Sequence, residues 1–239
     1  MNISSKNYYI HIENIYTKTK KAKLFWVSDK HKAIKHHWPN IISHDYHIKK
    51  DIIEQALRLK KNSCIIDSGA HIGDLVIPLA HALSINGRSD IIVYAIEPSL
   101  EKCKIITNLK KKNNLKNVRV LNYALSDKNE ILYEKELAWY FKLFNNSGAI
   151  EYTKEKLKNH NKIRARTLDV LFGDKEIGII HLDVEGFEGN VLNGGKTVIR
   201  DNHPYLSIEN NTDEKFKELD ILPEKYKFRK RINSNNIYF

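Results

Sequence analysis

The sequence predicts an α/β fold in which helices cover both faces of a mostly parallel sheet. Three observations favour it. Short apolar runs suited to buried strands alternate with stretches whose apolar residues recur every three or four positions, the spacing of a helix. A glycine-containing turn follows the first of these runs, and the next run ends in an acid. Strand, turn and helix in this order are typical of doubly wound sheets, which bind ligands at the carboxyl ends of their strands.

The first strand is predicted over 64–66, and a helix over 72–83 follows it. The turn between them contains Asp67, Gly69 and Gly73, and Gly73 is expected to let the helix pack tightly against the strand. Two glycines in G-x-x-x-G spacing do not make the G-x-G-x-x-G pattern of a dinucleotide site, so a pyrophosphate is a poor match. An acid at a strand end suits a cationic, amine-bearing ligand, which indicates S-adenosylmethionine. The alternative is a structural turn that binds nothing.

A second buried strand is predicted to end at Glu97. This acid lies 24 residues beyond Gly73, close to the spacing of about 20 at which a strand-end acid binds ribose hydroxyls. Pro98 and Ser99 then open the next helix. Two successive strands that end in carboxylates, the first followed by a glycine turn, indicate a nucleoside site.

A pair of acids follows the predicted strand over 177–182. Asp183 and Glu185 stand at its carboxyl end, and His181 precedes them. Paired acids at a strand terminus in a cleft are costly unless they bind something, so these three residues are the candidate general bases, in the order Asp183, Glu185, His181. Two alternatives stay open: one acid caps the following helix, and His181 is packed in the sheet as a structural residue.

The other elements complete the alternation of strands and helices. Strands are expected over 8–16, 24–27, 91–97, 118–123, 131–133 and 204–209, helices over 47–59, 100–112, 187–192 and 212–219, and a terminal antiparallel pair over 226–231 and 237–239. A short helix follows 164–169, with Thr167 or Asp169 as its cap. The aromatic and Asn-rich stretch over 139–150 is either a loop over the active site or an ordinary surface excursion.

Charge is distributed unevenly along the chain. The formal net charge is +11, and residues 1–62 carry most of it, with 13 Lys and Arg against 5 Asp and Glu. We therefore predict a basic N-terminal extension over 1–45 ahead of a catalytic domain over 46–239. Basic residues with interleaved aromatics suit either contact with nucleic acid or another polyanion, or a solvated face.

Several classes of protein are excluded. No apolar run approaches the roughly 20 residues of a membrane span, and no signal peptide is recognised, so we expect a soluble, cytoplasmic protein. Cys64 and Cys103 lack C-x-x-C spacing and are interpreted as small core residues. The histidines show no metal-ligand spacing, so no metal is expected.

Taken together, these segments resemble the FkbM family of S-adenosylmethionine-dependent methyltransferases, over about 63–211. The motifs that carry the resemblance are Asp183-Val184-Glu185-Gly186-Phe187-Glu188, 191–195 and 204–209, with support from 67–73, 97–99, Asn108 with Asn113, 122–127 and 167–169. Together, these segments in the family's order are far more specific than a lone G-x-x-x-G.

The resemblance implies a Rossmann-like class I methyltransferase sheet, mostly parallel and seven-stranded, with a closing antiparallel hairpin and helices on both faces. It also implies site residues. By that likeness Asp67, Gly69 and Gly73 shape the methionine pocket, Glu97 holds the ribose hydroxyls, Ala124 and Leu125 border the adenine, Asp183 lies next to the transferred methyl group, and Ala70, Pro98 and Ser99 join the cofactor site.

The chain departs from the family at three positions, where Ser68, His71 and His181 replace the usual Val, Asn and Lys. The two histidines leave the substrate contacts open. By the resemblance, the expected activity is O-methylation of a sugar or another hydroxylated small molecule or glycan. The alternatives are an RNA or polyanion methyltransferase that uses the basic N-terminal segment, and a non-catalytic module that keeps a nucleoside pocket.

Overall fold

The computed structural model describes residues 45–135, 152–156, 160–210 and 221–239, together with the backbone of two N-terminal strands. These are β1 (Asn7–Ile12) and β2 (Ala22–Val27), which pair antiparallel. The predicted loop over 139–150 and the predicted helix over 212–219 lie outside the described residues.

The central sheet contains seven strands. They are β3 (Cys64–Ser68), β4 (Ile92–Ile96), β5 (Val118–Leu121), β10 (Ile177–Leu182), β11 (Tyr205–Glu209), β12 (Phe228–Ile232) and β13 (Asn235–Tyr238). Their order is β12-β13-β11-β10-β3-β4-β5, and β13 is antiparallel to both of its neighbours. The predicted mostly parallel sheet with a closing hairpin is therefore confirmed.

The chain order reverses between β3 and β10. From β3 the chain proceeds through β4 to β5 on one side, and from β10 to β11 on the other. A crevice forms at such a switch point, outside the carboxyl ends of the strands. The fold thus brings together the ends of the strands that the sequence marks with acids.

Helices lie on both faces of this sheet. They are α1 (Tyr46–Ala56), α2 (Val76–Ile85), α3 (Leu100–Lys112), α4 (Leu168–Phe172), α5 (Glu188–Asn193) and α6 (Lys196–Asn202). Consecutive residues of β3 show the two layers, because Ile65 packs in the core beneath α1, α2 and α3, whereas Ile66 packs in the core beneath α4, α5 and α6. Burial on both faces explains the continuous apolar runs of the parallel strands.

A second, smaller sheet stands beside the central one. Its strands are β6 (Ala124–Leu125), β7 (Glu130–Glu134), β8 (Tyr152–Thr153) and β9 (Lys162–Arg166), in the order β6-β9-β7-β8. Leu132 and Ala165 are fully buried on its inner side. The sequence analysis predicts β7 but neither β9 nor α6.

One helix begins later than predicted. The apolar stripe starts at residue 72, but α2 begins at Val76. His71 and Gly73 have φ angles of 47° and 86°, and a residue in this left-handed region cannot continue a right-handed helix. The residues before Val76 therefore form the turn that borders the crevice.

Candidate active site

A cavity of about 330 Å³ lies at the carboxyl ends of β3, β4, β10 and β11. Ten of the predicted site residues line it: Asp67, Gly69, Ala70, Glu97, Pro98, Ala124, Leu125, His181, Asp183 and Glu185. Residues that are far apart in sequence thus surround one space, and its position is the one expected from the switch in strand order.

Two predicted site residues, Gly73 and Ser99, do not line the cavity. A Cβ on Gly73 would lie 3.2 Å from side-chain carbons of Ile77 and Ile106, so this glycine allows close packing of α2 and α3, not of helix against strand. Ser99 caps α3, because its hydroxyl accepts a hydrogen bond from the backbone N–H of Lys102. Both residues shape the site from outside it.

Glu97 is buried and held rigidly at the end of β4. One of its carboxylate oxygens accepts a hydrogen bond from the backbone N–H of His71 and the other from that of Ser99, each at 2.9 Å. Burial raises the pKa of Glu97, while Lys102 and the two N–H donors oppose that rise. Each oxygen retains acceptor capacity, so the carboxylate can bind ligand hydroxyls without moving.

An ion pair that the sequence analysis missed lies in the cavity wall. Lys49 on α1 contacts Asp74 with an Nζ–Oδ2 distance of 2.9 Å, and the lysine side chain is 4% exposed. Burial acts to raise the pKa of Asp74, but the Lys49 ammonium and the charge of His71 outweigh it and hold the pKa below its usual range. Helix α1 therefore supplies part of the cavity, although it belongs to no motif in the sequence.

Asp67 is a buried acid in the cavity lining. Its burial raises its pKa well above the usual range, the neighbouring carboxylates Asp74 and Glu97 add to this, and Lys49 opposes it. A carboxyl group in such a place is stabilised in its ionised form by a ligand cation.

Asp183 and Glu209 form a carboxyl pair at the ends of the adjacent strands β10 and β11. Burial raises the pKa of Asp183 far above its usual range, and a hydrogen bond to Glu209 adds to the rise, as do the negative charges of Glu209 and Glu185. The hydroxyl of Ser234 donates to Glu209 Oε1 at 2.9 Å. Contact with a second carboxyl group thus disfavours the ionised form of Asp183, because two carboxyl groups in contact resist ionising together.

His181 lies at the floor of the cavity within a polar network. Its Nδ1 lies 3.1 Å from the Ser207 hydroxyl, which in turn donates to Asn235 Oδ1 at 3.1 Å, and its Nε2 is 4.0 Å from Asp67 Oδ1. Burial lowers the pKa of His181 to about 4, against the charges of Glu209 and others. A neutral, buried imidazole of this kind supports the structural alternative for His181.

Glu185 occupies a different environment from Asp183. It is exposed in a turn at the cavity edge, with a φ of 52°. The following turn is anchored by Glu188, whose Oε1 accepts from the backbone N–H groups of Val184 and Gly186. The N-cap residue of α5 is Phe187, so neither Asp183 nor Glu185 is its N-cap.

One part of the cavity wall is apolar. It is formed by Tyr123, Ala124, Leu125, Leu132 and Phe187. Lys102 also lines the cavity, and burial lowers its pKa against the attraction of Glu97, Glu185 and other acids. The cavity is therefore lined by both acidic and apolar residues.

The sequence also matches a family model, described as the methyltransferase FkbM domain, over residues 67–231 of the 239-residue chain. The chain belongs to the FkbM methyltransferase family. The resemblance to this family of S-adenosylmethionine-dependent methyltransferases is therefore confirmed. No curated protein matches the sequence.

A solved structure of an FkbM methyltransferase shows the same fold. The FkbM methyltransferase from Methylobacillus flagellatus KT is 18% identical with a TM-score of 0.50, covering 74% of this chain and 43% of that chain. The chain thus spans less than half the length of that FkbM protein. An S-adenosylmethionine-dependent O-methyltransferase from Thermotoga maritima is 15% identical with a TM-score of 0.46, covering 80% of this chain and 63% of that chain.

The cavity of this FkbM domain fits the family's cofactor. S-adenosylmethionine has an adenine ring, a ribose with two hydroxyls, and a cationic end with an ammonium and a sulfonium group. The apolar wall, the fixed carboxylate of Glu97 and the acids Asp67 and Asp183 offer groups suited to these three parts. Asp67 and Asp183, each with a raised pKa, gain most from a ligand cation.

Among the described residues, no group of three or more His, Cys, Asp and Glu side chains is arranged to hold a metal ion. In the same part of the chain, no helix is long and apolar enough to span a membrane. The boundary near residue 45 stays a prediction, because the family match begins at residue 67 and α1 precedes it.

Proposed function

We propose that the protein transfers the methyl group of S-adenosylmethionine to a hydroxyl group of a sugar or other hydroxylated small molecule or glycan, and that the Asp183–Glu209 pair accepts the hydroxyl proton. The carboxyl pair carries this proposal, because it places a proton acceptor in the cavity beside the acids suited to a cation. Asp183 is thus the preferred base of the sequence analysis, now with Glu209 as its partner.

Several side chains are assigned to holding the cofactor. Glu97 would bind the ribose hydroxyls, Asp67 the cationic methionine end, and the apolar wall with Ala124 and Leu125 the adenine. Bound S-adenosylmethionine supplies an electrophilic methyl group on a positively charged sulfur. The protein has to hold the acceptor oxygen about 3 to 3.5 Å from that carbon.

The carboxyl pair controls where the hydroxyl proton goes. A hydroxyl is a poor nucleophile until its proton leaves, and a positioned base typically contributes a factor of about 100 to 10,000. An ionised carboxylate oxygen of the pair would take the hydroxyl proton as the new oxygen–carbon bond forms and the methyl–sulfur bond breaks. A ligand cation beside Asp183 favours its ionised form, so more of the pair is available to accept a proton when the cavity is filled.

The first experiment is a calorimetric titration with S-adenosylmethionine, S-adenosylhomocysteine and, as a control, NAD. Micromolar binding of the first two alone supports the cofactor assignment. The transfer of a labelled methyl group would then be measured with monosaccharides, nucleotide sugars, glycans and RNA. Transfer to RNA alone would favour the polyanion methyltransferase, and binding without any transfer would favour the non-catalytic module.

The carboxyl pair is tested by Asp183→Asn and Glu209→Gln. Each is expected to lower kcat about 100-fold or more while the affinity for S-adenosylhomocysteine changes less than about threefold. Asp201→Asn is the matched control, because Asp201 lies on α6 and pairs with Arg200 at the surface. Equal losses of turnover and cofactor affinity would make the pair a binding element and contradict its role as base.

A further inference from the structure

The two sides of the small sheet differ in character. In the β7–β9 pairing, Ile131 is opposite Arg164 and Tyr133 is opposite Lys162, and residues directly opposite one another share a face. The alternate residues Leu132 and Ala165 are fully buried on the inner side. Ile131 and Arg164 therefore belong to the outer side, and Ile131 is 43% exposed.

The outer side carries a row of cations. Lys162, Arg164 and Arg166 alternate along β9, and we call this row, with Ile131 and Tyr133 beside it, the cationic face. Alternate strand residues are roughly 7 Å apart, so three positive charges extend over about 13 Å.

The acids of β7 point away from the cationic face. Glu130 and Glu134 are each two residues from the inward-facing Leu132 along β7, so they belong to the same side of the sheet as Leu132. Glu130 accepts a hydrogen bond from the Ser126 hydroxyl and contacts Lys154, and Glu134 accepts from Asn161. Among the described residues of β7 and β9, the outer row therefore has no carboxylate to neutralise its cations.

The cationic face reaches the active-site cavity through Tyr123. The guanidinium carbons of Arg164 and Arg166 each lie 5.5 Å from the centre of the Tyr123 ring, and Tyr123 lines the cavity. Stacking on an aromatic ring fixes a guanidinium while its N–H groups can still bind a carboxylate, phosphate or sulfate in the plane. Two oriented guanidinium groups thus stand at the rim of the cavity.

We propose that the cationic face binds a negatively charged glycan, and that this glycan is the acceptor whose hydroxyl enters the cavity past Tyr123. The second half rests on the proposed function. Evenly spaced cations match a chain with an acidic group on successive units, and the exposed Ile131 with Tyr133 offers an apolar strip for the C–H faces of sugar rings. Single-stranded nucleic acid is less well matched, because its binding relies on open aromatic rings for base stacking, whereas two guanidinium groups occupy the Tyr123 ring.

The test compares two variants of the full chain with the same change in charge. The first replaces Lys162, Arg164 and Arg166 with Gln. The control replaces Lys104, Lys111 and Lys116 with Gln, because these exposed lysines lie on α3 and the turn after it, outside the cavity. The probes are a fluorescein-labelled oligogalacturonate, a neutral dextran oligomer and oligouridylate, and binding is followed by fluorescence anisotropy at low and at physiological salt. Calorimetry with S-adenosylhomocysteine reports separately on the cofactor site.

We expect the wild type to bind oligogalacturonate more tightly than the other two probes. The variant of the cationic face should bind oligogalacturonate about tenfold more weakly, and its binding should depend less on salt. The control variant should lose less than about threefold in the same affinity. Three results would each overturn the proposal. The two variants could lose affinity equally, the wild type could fail to bind oligogalacturonate, or oligouridylate could bind more tightly than oligogalacturonate and lose affinity in the variant of the cationic face. Failure to bind S-adenosylhomocysteine would refute the proposed cofactor site. The anisotropy measurements would still decide independently whether the cationic face binds the acidic glycan.

Discussion

Gly69 packs directly against the backbone of Asp183: a Cβ built on Gly69 would lie 1.7 Å from the Asp183 carbonyl oxygen. The backbone N–H of Asp183 also donates to the Ser68 carbonyl at 3.0 Å. The glycine turn after β3 and the acid after β10 are thus one unit. The two segments that the family motifs mark separately are linked by this contact, which fixes where the Asp183 carboxyl group stands.

Gly69→Ala should therefore damage both folding and ligand binding. Its φ of 82° lies in the left-handed region, which costs an L-residue about 1–2 kcal/mol, and the clash with backbone cannot be relieved by a side-chain movement. We expect a loss of at least about 2 kcal/mol in the free energy of unfolding and weaker binding of S-adenosylhomocysteine. Urea denaturation and calorimetry measure the two.

Gly87→Ala is the matched control for the steric effect. Gly87 has a φ of 73°, but a Cβ there would meet nothing within 4 Å. It should lose only the conformational cost of about 1 kcal/mol and bind S-adenosylhomocysteine like the wild type. If the two variants behaved alike, the contact with Asp183 would have no energetic role.

The central sheet was predictable from the sequence because its signals are local. The six-residue apolar run of β10 and the bounds of α3 agree with the prediction, since α3 has a serine cap and lysines in its last turn. Strand β9 escaped prediction because arginine and lysine fill its outer positions and only Ala165 is fully buried. Strand β9 is recognised only through its pairing with β7, which lies more than 25 residues earlier in the sequence.

The site was predictable only in part, for a similar reason. Asp67, Glu97 and Asp183 each end a recognisable strand. Glu209 also ends a strand, but its pairing with Asp183 requires β10 and β11 to be neighbours, which single-sequence periodicity does not reveal. The sequence did not indicate that Lys49 lines the cavity, because a lysine on an amphipathic helix is ordinarily solvated.

Glu97→Ala should weaken cofactor binding without unfolding the protein. The substitution removes an acceptor for ribose hydroxyls and leaves the backbone N–H groups of His71 and Ser99 without their partner. We expect the affinity for S-adenosylhomocysteine to fall by one to a few kcal/mol, about the value of hydrogen bonds to a charged acceptor. Calorimetry measures it, with the exposed Glu176→Ala as control. An unchanged affinity would remove Glu97 from the ribose site.

Lys49→Met should destabilise the fold, because it leaves the Asp74 carboxylate partly buried without its ammonium partner. Breaking a buried ion pair costs about 3–5 kcal/mol. The Asp74 side chain is 27% exposed, so water can solvate it in part, and we expect a loss nearer 2–3 kcal/mol in urea denaturation. Adding Asp74→Asn should restore part of the loss. Purely additive effects in this double-mutant cycle would show that the pair is not coupled.

His181 should make the stability of the protein depend on pH below neutrality. In the folded protein its pKa is lowered to about 4 from an ordinary value of 6.5. Between these two values the unfolded chain binds a proton at His181 and the folded chain does not, so acid favours unfolding. The stabilisation is complete above about pH 6.5 and is lost as the pH falls toward 4, by up to about 3 kcal/mol.

His181→Gln removes this titration and keeps a polar side chain for the Ser207 hydroxyl. Urea denaturation of both proteins at several pH values between 4 and 7 should show a shallower loss of stability for the variant as the pH falls. Substitution of the exposed His47 by Gln provides the control, since it changes the histidine count outside the floor of the cavity. Parallel curves for the wild type and His181→Gln would show that His181 is not held neutral by burial, and would return it to the list of candidate bases.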